Sequence, residues 1–182
     1  MTLRVVTEGS MEARLITRIL KPILGDAVRV FSADCGPADP ASLARTFLGD
    51  GWPVALVLHT KTLRSEKIRR LRGFYERMLT PIDSSDAWRV VFIKPRLELL
   101  LFHDPEVLRL LVGRVPTQEE MERARTRPRK VLAEMLGIPR ESLASELERR
   151  LEGVDLSRLA THPQLQKILD FHAQLEAEAI SP

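Results

Sequence analysis

A single cysteine, Cys35, in 182 residues leaves no internal disulfide to close. The chain also lacks any apolar run near the roughly 20 residues that a bilayer-spanning helix needs; its longest runs, such as Val54-Ala55-Leu56-Val57-Leu58, stop far short. Net charge is nearly absent: 28 basic side chains face 25 acidic ones, a balance of +3, so attraction to a polyanion has to come from where the charges sit. No Gly-x-x-x-x-Gly-Lys loop for a nucleoside triphosphate is present, and Ser10 lies in a Glu-Gly-Ser turn, not in a Gly-x-Ser-x-Gly elbow. Gly9 alone is no dinucleotide fingerprint, and His103, His162 and His172 lack the close spacing of a zinc site. The first residues read as a strand and not as a basic stretch with an apolar signal core, so the expectation is a cytoplasmic, soluble protein. What is present is ordinary globular material, 44% hydrophobic and 29% charged, in a length that suits one sizeable core.

Hydrophobic periodicity divides the chain in two. Residues 3–7 form a β-branched run, followed by Glu8-Gly9-Ser10 and by Met11, Leu15, Ile16, Ile19 and Leu20 at helical spacing. Ser10 is the expected cap of that helix, with Pro22 and Gly25 at its exit and residues 28–31 as a second strand. A polar turn at 34–40, a helix at 41–48, a strand at 53–58, a helix at 63–79 and a strand at 88–93 complete an alternation of strands and helices. This pattern predicts an α/β fold with a mostly parallel four-stranded sheet flanked by helices over residues 1–95. The third strand is continuously apolar, as a strand covered on both faces must be. Beyond residue 96 the apolar positions recur at three- and four-residue spacing, which predicts a helical extension packed on the first unit. Its pieces are 97–102, 105–112, 118–125, 128–136, 140–151 and 163–179, with 116–129 read as a charge-rich connector or a solvated helical face.

In parallel α/β sheets ligands sit beyond the carboxyl ends of the strands. The first strand ends at Glu8, with Glu12 one helical turn later; the third ends at His59-Thr60-Lys61; the fourth is followed by Lys94, Arg96 and Glu98. Carboxylates gathered on such an edge can hold a hard divalent cation, which orients a phosphate and activates water, although first-turn acids also serve simply to stabilise helix N-termini.

The string Val5-Val6-Thr7-Glu8-Gly9-Ser10-Met11-Glu12 resembles the strand-Glu-Gly-x-x-Glu opening of TOPRIM domains, nearest to those of OLD-type nucleases and their short stand-alone bacterial relatives. Residues 90–108, a strand followed by Glu98, an apolar stretch and Asp104-Pro105-Glu106, are similar to a second segment of these relatives. Arg127-Pro128-Arg129-Lys130-Val131-Leu132 is similar to the basic element that opens their helical tail. The likeness spans about the first 135 residues. It implies nucleic-acid processing or mobile-element defence, with DNA as the preferred nucleic acid and an ATPase as a further partner. It leaves oligomeric state open.

One departure bears on the chemistry. TOPRIM enzymes carry an Asp-x-Asp pair after the third strand, and here the corresponding positions are His59 and Lys61. An ammonium in place of a carboxylate turns attraction for a dication into repulsion, worth several kcal/mol at an effective dielectric of about 20. Two readings follow. In one, Glu8, Glu12, Glu98 and Asp104 hold a single magnesium or manganese ion, with Glu8, His59 and Lys61 as the catalytic set of a phosphodiester nuclease. In the other no metal is bound, Lys61 pairs with Glu8 or Glu98, and the protein binds without catalysis or docks on an ATPase. The nucleic-acid contacts expected in either case are Arg64, Lys67, Arg69 and Arg70 on the helix after the third strand, and Arg127, Arg129 and Lys130. The same basic helix also reads as a solvated face, because Leu63, Ile68, Leu71, Phe74, Tyr75 and Met78 make a stripe that points to the core.

Overall fold

The structure, a computed structural model, describes residues 1–35, 39–82 and 86–180; the middle of the 34–40 turn lies outside them. Four strands, β1 (Leu3–Thr7), β2 (Val28–Ser32), β3 (Val54–His59) and β4 (Trp88–Ile93), form one all-parallel sheet in the order β2-β1-β3-β4. In register, Val6 sits beside Phe31 and Leu56, and Val57 beside Val91. The connecting helices are α1 (Ser10–Leu24), α2 (Pro40–Gly49) and α3 (Ser65–Leu79). From β1 the chain first steps outward to β2, then returns past β1 to β3. The strand order therefore reverses between β1 and β3, and that reversal opens a crevice at the carboxyl ends of those two strands.

Alternation of side chains along the strands splits the core in two. Leu3, Val5, Ala55, Val57, Val91 and Ile93 face α1 and the C-terminal half of the chain, whereas Val6, Val54, Leu56, Leu58, Val90 and Phe92 face α2 and α3. The C-terminal half comprises a 3-10 helix at Leu97–Phe102, then α4 (Pro105–Val112), α5 (Gln118–Ala124), α6 (Pro128–Leu136), α7 (Leu143–Leu151) and α8 (Pro163–Ile180). Leu108, Leu111, Leu132, Leu147, Leu165, Ile168 and Phe171 from these helices are buried in the same cluster as the sheet face. No helix among the described residues is long and apolar enough to cross a membrane.

Two local expectations are corrected by the packing, and of the two readings of 116–129 the helical one is borne out over residues 118–124. Ser10 does not cap α1: the cap position is Gly9, no side chain on the helix fills it, and the Ser10 N–H donates instead to Asp34 Oδ2 at 2.7 Å. The carboxylate at the end of β2 thus does the work expected of a serine hydroxyl. Residues 118–124 are folded as α5, entered by a capping box in which Thr117 and Glu120 exchange side-chain and backbone hydrogen bonds. Arg114 grips the same Glu120 and, aided by the Thr117 bonds, holds its carboxyl down at about 2. The stripe on α3 is only partly interior, with Ile68 and Leu79 buried but Leu63 and Phe74 exposed. Leu63 lies before the first residue of α3, and Phe74 packs edge-on against Tyr75 at 5.2 Å.

Candidate functional site

The β1–β3 crevice is built around Glu8, the first residue after β1. One carboxylate oxygen, Oε2, accepts the backbone N–H of His59 at 3.0 Å and lies 2.7 Å from the Nδ1 of the same residue. Oε1 lies 3.8 Å from the Lys61 ammonium. Burial alone pushes the Glu8 carboxyl up, but the His59 side-chain and backbone hydrogen bonds and the charges of His59 and Lys61 outweigh it, leaving Glu8 below its ordinary value. An ionised Glu8 carboxylate can only accept, so the His59 nitrogen that faces it, Nδ1, is the one that carries the proton. The opposite ring nitrogen, Nε2, is buried and has no hydrogen-bond partner among the described residues, an arrangement that costs less for a lone pair than for an N–H. His59 is therefore a clamp between β1 and β3, and its free nitrogen faces protein.

Glu12 comes in from the first turn of α1, with Oε1 3.9 Å from His59 Nδ1. Its approach depends on Gly9. A Cβ at that position would stand 2.6 Å from Glu12 Oε2, so a larger residue there would make the Glu12 carboxylate swing aside, while the extended backbone itself suits any residue. Tyr75 on α3 also belongs to this neighbourhood: burial, then the negative charges of Glu8 and Asp39, push its phenol up to about 12. Neither Tyr75 nor Asp34 carries a motif, and only the packing of α3 and the β2 turn against the β1 end brings them here.

Lys61 has the only positive φ among the described non-glycine residues, +54°. A side chain in this left-handed region costs about 1 kcal/mol or more and persists where the surroundings enforce it. Here the Lys61 N–H donates to Pro95 O at 2.8 Å and Thr60 N–H to Ile93 O at 3.3 Å, so β3 and β4 stay tied past their ends while the lysine turns out over the rim.

The other expected metal acids are spread out. Glu98 is buried, and its partner is Arg129, at 3.8 Å. Asp104 is the N-cap of α4: Oδ1 accepts the N–H groups of Glu106 and Val107, and Oδ2 is 2.8 Å from Arg158 Nε. Among the described residues no group of three His, Cys, Asp or Glu side chains is placed to hold a metal ion. Glu8, Glu98 and Asp104 do not join Glu12 in one cage, because each of the three already answers a cation or a helix end.

The cations, by contrast, gather. A cleft of about 400 Å³ at the carboxyl edge of the sheet is lined by Lys61, Pro95, Arg96, Thr126, Arg127, Pro128, Arg129, Lys130 and Arg140. Lys61, Arg129 and Lys130 have acid partners in Glu8, Glu98 and Glu134. Arg96, Arg127 and Arg140 have none among the described residues. Glu8 and Glu98 thus flank one cleft through Lys61 and Arg129 without meeting each other. Of the expected nucleic-acid contacts, Arg127, Arg129 and Lys130 line the cleft; Arg64, just before α3, and Lys67, Arg69 and Arg70 on it are exposed and do not. Arg70 is paired with Glu66 one turn back. Arg140 was not legible beforehand, because the 3-10 turn that carries it (Arg140–Ser142) gives no signal beyond one more surface arginine.

Fold and site together define an all-parallel α/β protein with a neutralised acidic crevice and a cationic cleft on its ligand-binding edge. No family model, curated protein or solved structure matches the chain.

Proposed function

We propose that this chain is a nucleic-acid-binding protein of the TOPRIM/OLD-like kind, acting in nucleic-acid processing or mobile-element defence, in which internal ion pairs stand where a metal site would be. One observation carries the reading: three guanidiniums with no acid partner among the described residues share a single cleft with Lys61, Arg129 and Lys130, while Glu8, Glu98 and Asp104 are matched by Lys61, Arg129 and Arg158. The sheet edge that would carry excess negative charge for a cation instead carries excess positive charge for a phosphate. Lys61 links the two halves, since its ammonium faces Glu8 on one side and the cleft on the other. Metal-dependent cleavage gains nothing from His59, whose remaining nitrogen is buried.

The test is a salt series of single-stranded and duplex DNA binding. Affinity should fall steeply with ionic strength, and Arg127→Gln should reduce the slope of log affinity against log salt by about 1. Magnesium and manganese should leave the melting temperature unchanged. A metal-dependent rise that Glu8→Gln abolishes, together with DNA cleavage, would replace this reading by the nuclease one; absence of DNA binding at low salt would remove it.

A further inference from the structure

The arrangement of the cleft says what kind of phosphate it takes. Its three arginines without an acid partner among the described residues come from separate segments: Arg96 leads out of β4, Arg127 precedes α6, and Arg140 follows α6 in the 3-10 turn. A guanidinium presents its N–H groups as a planar fork that matches two phosphate oxygens at once. Three guanidiniums around one small cleft bring three positive charges, more than the single negative charge of an internal phosphodiester offsets. A phosphate monoester offers three terminal oxygens and between about 1.5 and 2 negative charges near neutral pH.

The backbone of α6 points the same way. Pro128 occupies its first position and so contributes no N–H, the cap residue Arg127 places no acceptor over the helix end, and no acid lies in the first turn. Among the described residues, α2, α4 and α5 have their N-termini closed by Asp39, Asp104 and Thr117, whereas α1, α3 and α7, like α6, have no side-chain cap. Pro128, Arg129 and Lys130, the opening residues of α6, line the cleft itself, so the end of the helix adds its positive pole to the converging arginines.

Extent matters as much as charge. A volume of about 400 Å³ is that of a small-molecule pocket and holds one phosphate with part of its nucleoside. A duplex lying across the protein would instead use a broad stripe such as the exposed cations of α3, which are not part of the cleft.

We infer that the cleft formed by Arg96, Arg127, Arg140 and the start of α6 is a receptor for a terminal phosphate monoester, carried by a nucleic-acid strand end or by a free nucleotide. For the strand end, the inference rests on the nucleic-acid reading above. Lys61 then sits between the bound phosphate and the Glu8–His59 clamp, and the α3 cations serve the remainder of the strand.

Fluorescence anisotropy with a short single-stranded oligonucleotide, carrying either a 5′-phosphate, a 3′-phosphate or hydroxyls at both ends, tests this. One phosphorylated form should bind about tenfold more tightly than the hydroxyl form, the worth of one additional charge-assisted hydrogen bond. Arg96→Gln and Arg140→Gln should each erase that difference with melting temperature unchanged, whereas Arg64→Gln just before α3 should weaken all three oligonucleotides alike. Equal affinity for all three, with binding intact, overturns the inference and leaves the nucleic-acid reading standing. Failure of every oligonucleotide to bind, while a nucleoside monophosphate raises the melting temperature in an Arg140-dependent manner, supports the monoester receptor and overturns the nucleic-acid reading. Failure of both probes overturns both.

Discussion

At the scale of single residues, the chain places its ionisable groups so that charge is answered locally. His162 shows this away from the cleft. Burial, and then the neighbouring His103, whose ring meets it edge-on at 5.0 Å, push its imidazole down to about 4. Its Nδ1 accepts the Gln164 N–H at 3.2 Å, which needs an unprotonated nitrogen at the start of α8. Because the folded value lies below the unfolded one of about 6.5, the unfolded chain takes up the proton first as pH falls. Stability should therefore decline between about pH 6.5 and 4. The ring is only about half buried, so solvent screening holds the loss to about 1 kcal/mol. His162→Asn, which keeps an acceptor for Gln164 but cannot titrate, should show a smaller drop in melting temperature between pH 7 and pH 4.5. Identical pH profiles for the two proteins would show that His162 carries none of it. Residue identity alone pointed correctly to Glu8, His59 and Lys61 as neighbours, because each lies within two residues of a strand end. It did not point to Tyr75 or Arg140, which reach the site only through packing.

Elements in this protein are delimited by local chemistry that is largely visible in the chain. Asp104-Pro105 opens α4, Thr117 with Glu120 opens α5, and Gly113 and Gly137 close α4 and α6 in left-handed conformations at φ of +82° and +67°. Asp104 illustrates how an acid that suits a metal can be claimed by a helix. Asp104→Ala should cost about 1 kcal/mol, within the roughly 0.5–2 kcal/mol range of lost N-caps, as read by urea unfolding. Asp104→Asn should recover most of this, since an amide oxygen can still accept the Glu106 and Val107 N–H groups. A full loss in Asp104→Asn would shift the weight from the cap to the Arg158 ion pair. The capping of α1 went unread for a physical reason: its acceptor, Asp34, is 24 positions away and arrives only when β2 lies parallel to β1. For α3, periodicity identified the apolar row but not how much of it the sheet would cover.

For the whole molecule, the helical C-terminal half and the α/β half share one interior. α8 alone places Leu165, Ile168, Phe171 and Leu175 in the cluster that covers the α1 face of the sheet. At roughly 1.5–3 kcal/mol for each fully buried side chain, these four contribute about 6–12 kcal/mol, the size of a typical domain's entire net stability of roughly 5–15 kcal/mol. A chain ending at residue 162 should therefore lose cooperative thermal unfolding and bind a hydrophobic dye such as ANS, as followed by near-ultraviolet circular dichroism and fluorescence. Retention of a sharp transition would mean that residues 1–162 form a core of their own. The same shared interior positions function: α6 carries Arg127, Arg129 and Lys130 to the sheet edge because Val131 and Leu132 are buried against it.

Periodicity and turn residues were enough to settle the kinds of element and their order, because side-chain spacing, caps and helix breakers act within a few residues of where they are written. They also put Glu8 and His59 at neighbouring strand ends, since a β-α-β alternation restricts how strands can adjoin. Which acid answers which cation was decided only in three dimensions. Coulomb and hydrogen-bond energies depend on separations of a few ångströms between groups tens of residues apart, and those separations exist only once β1, β3 and α6 share a core.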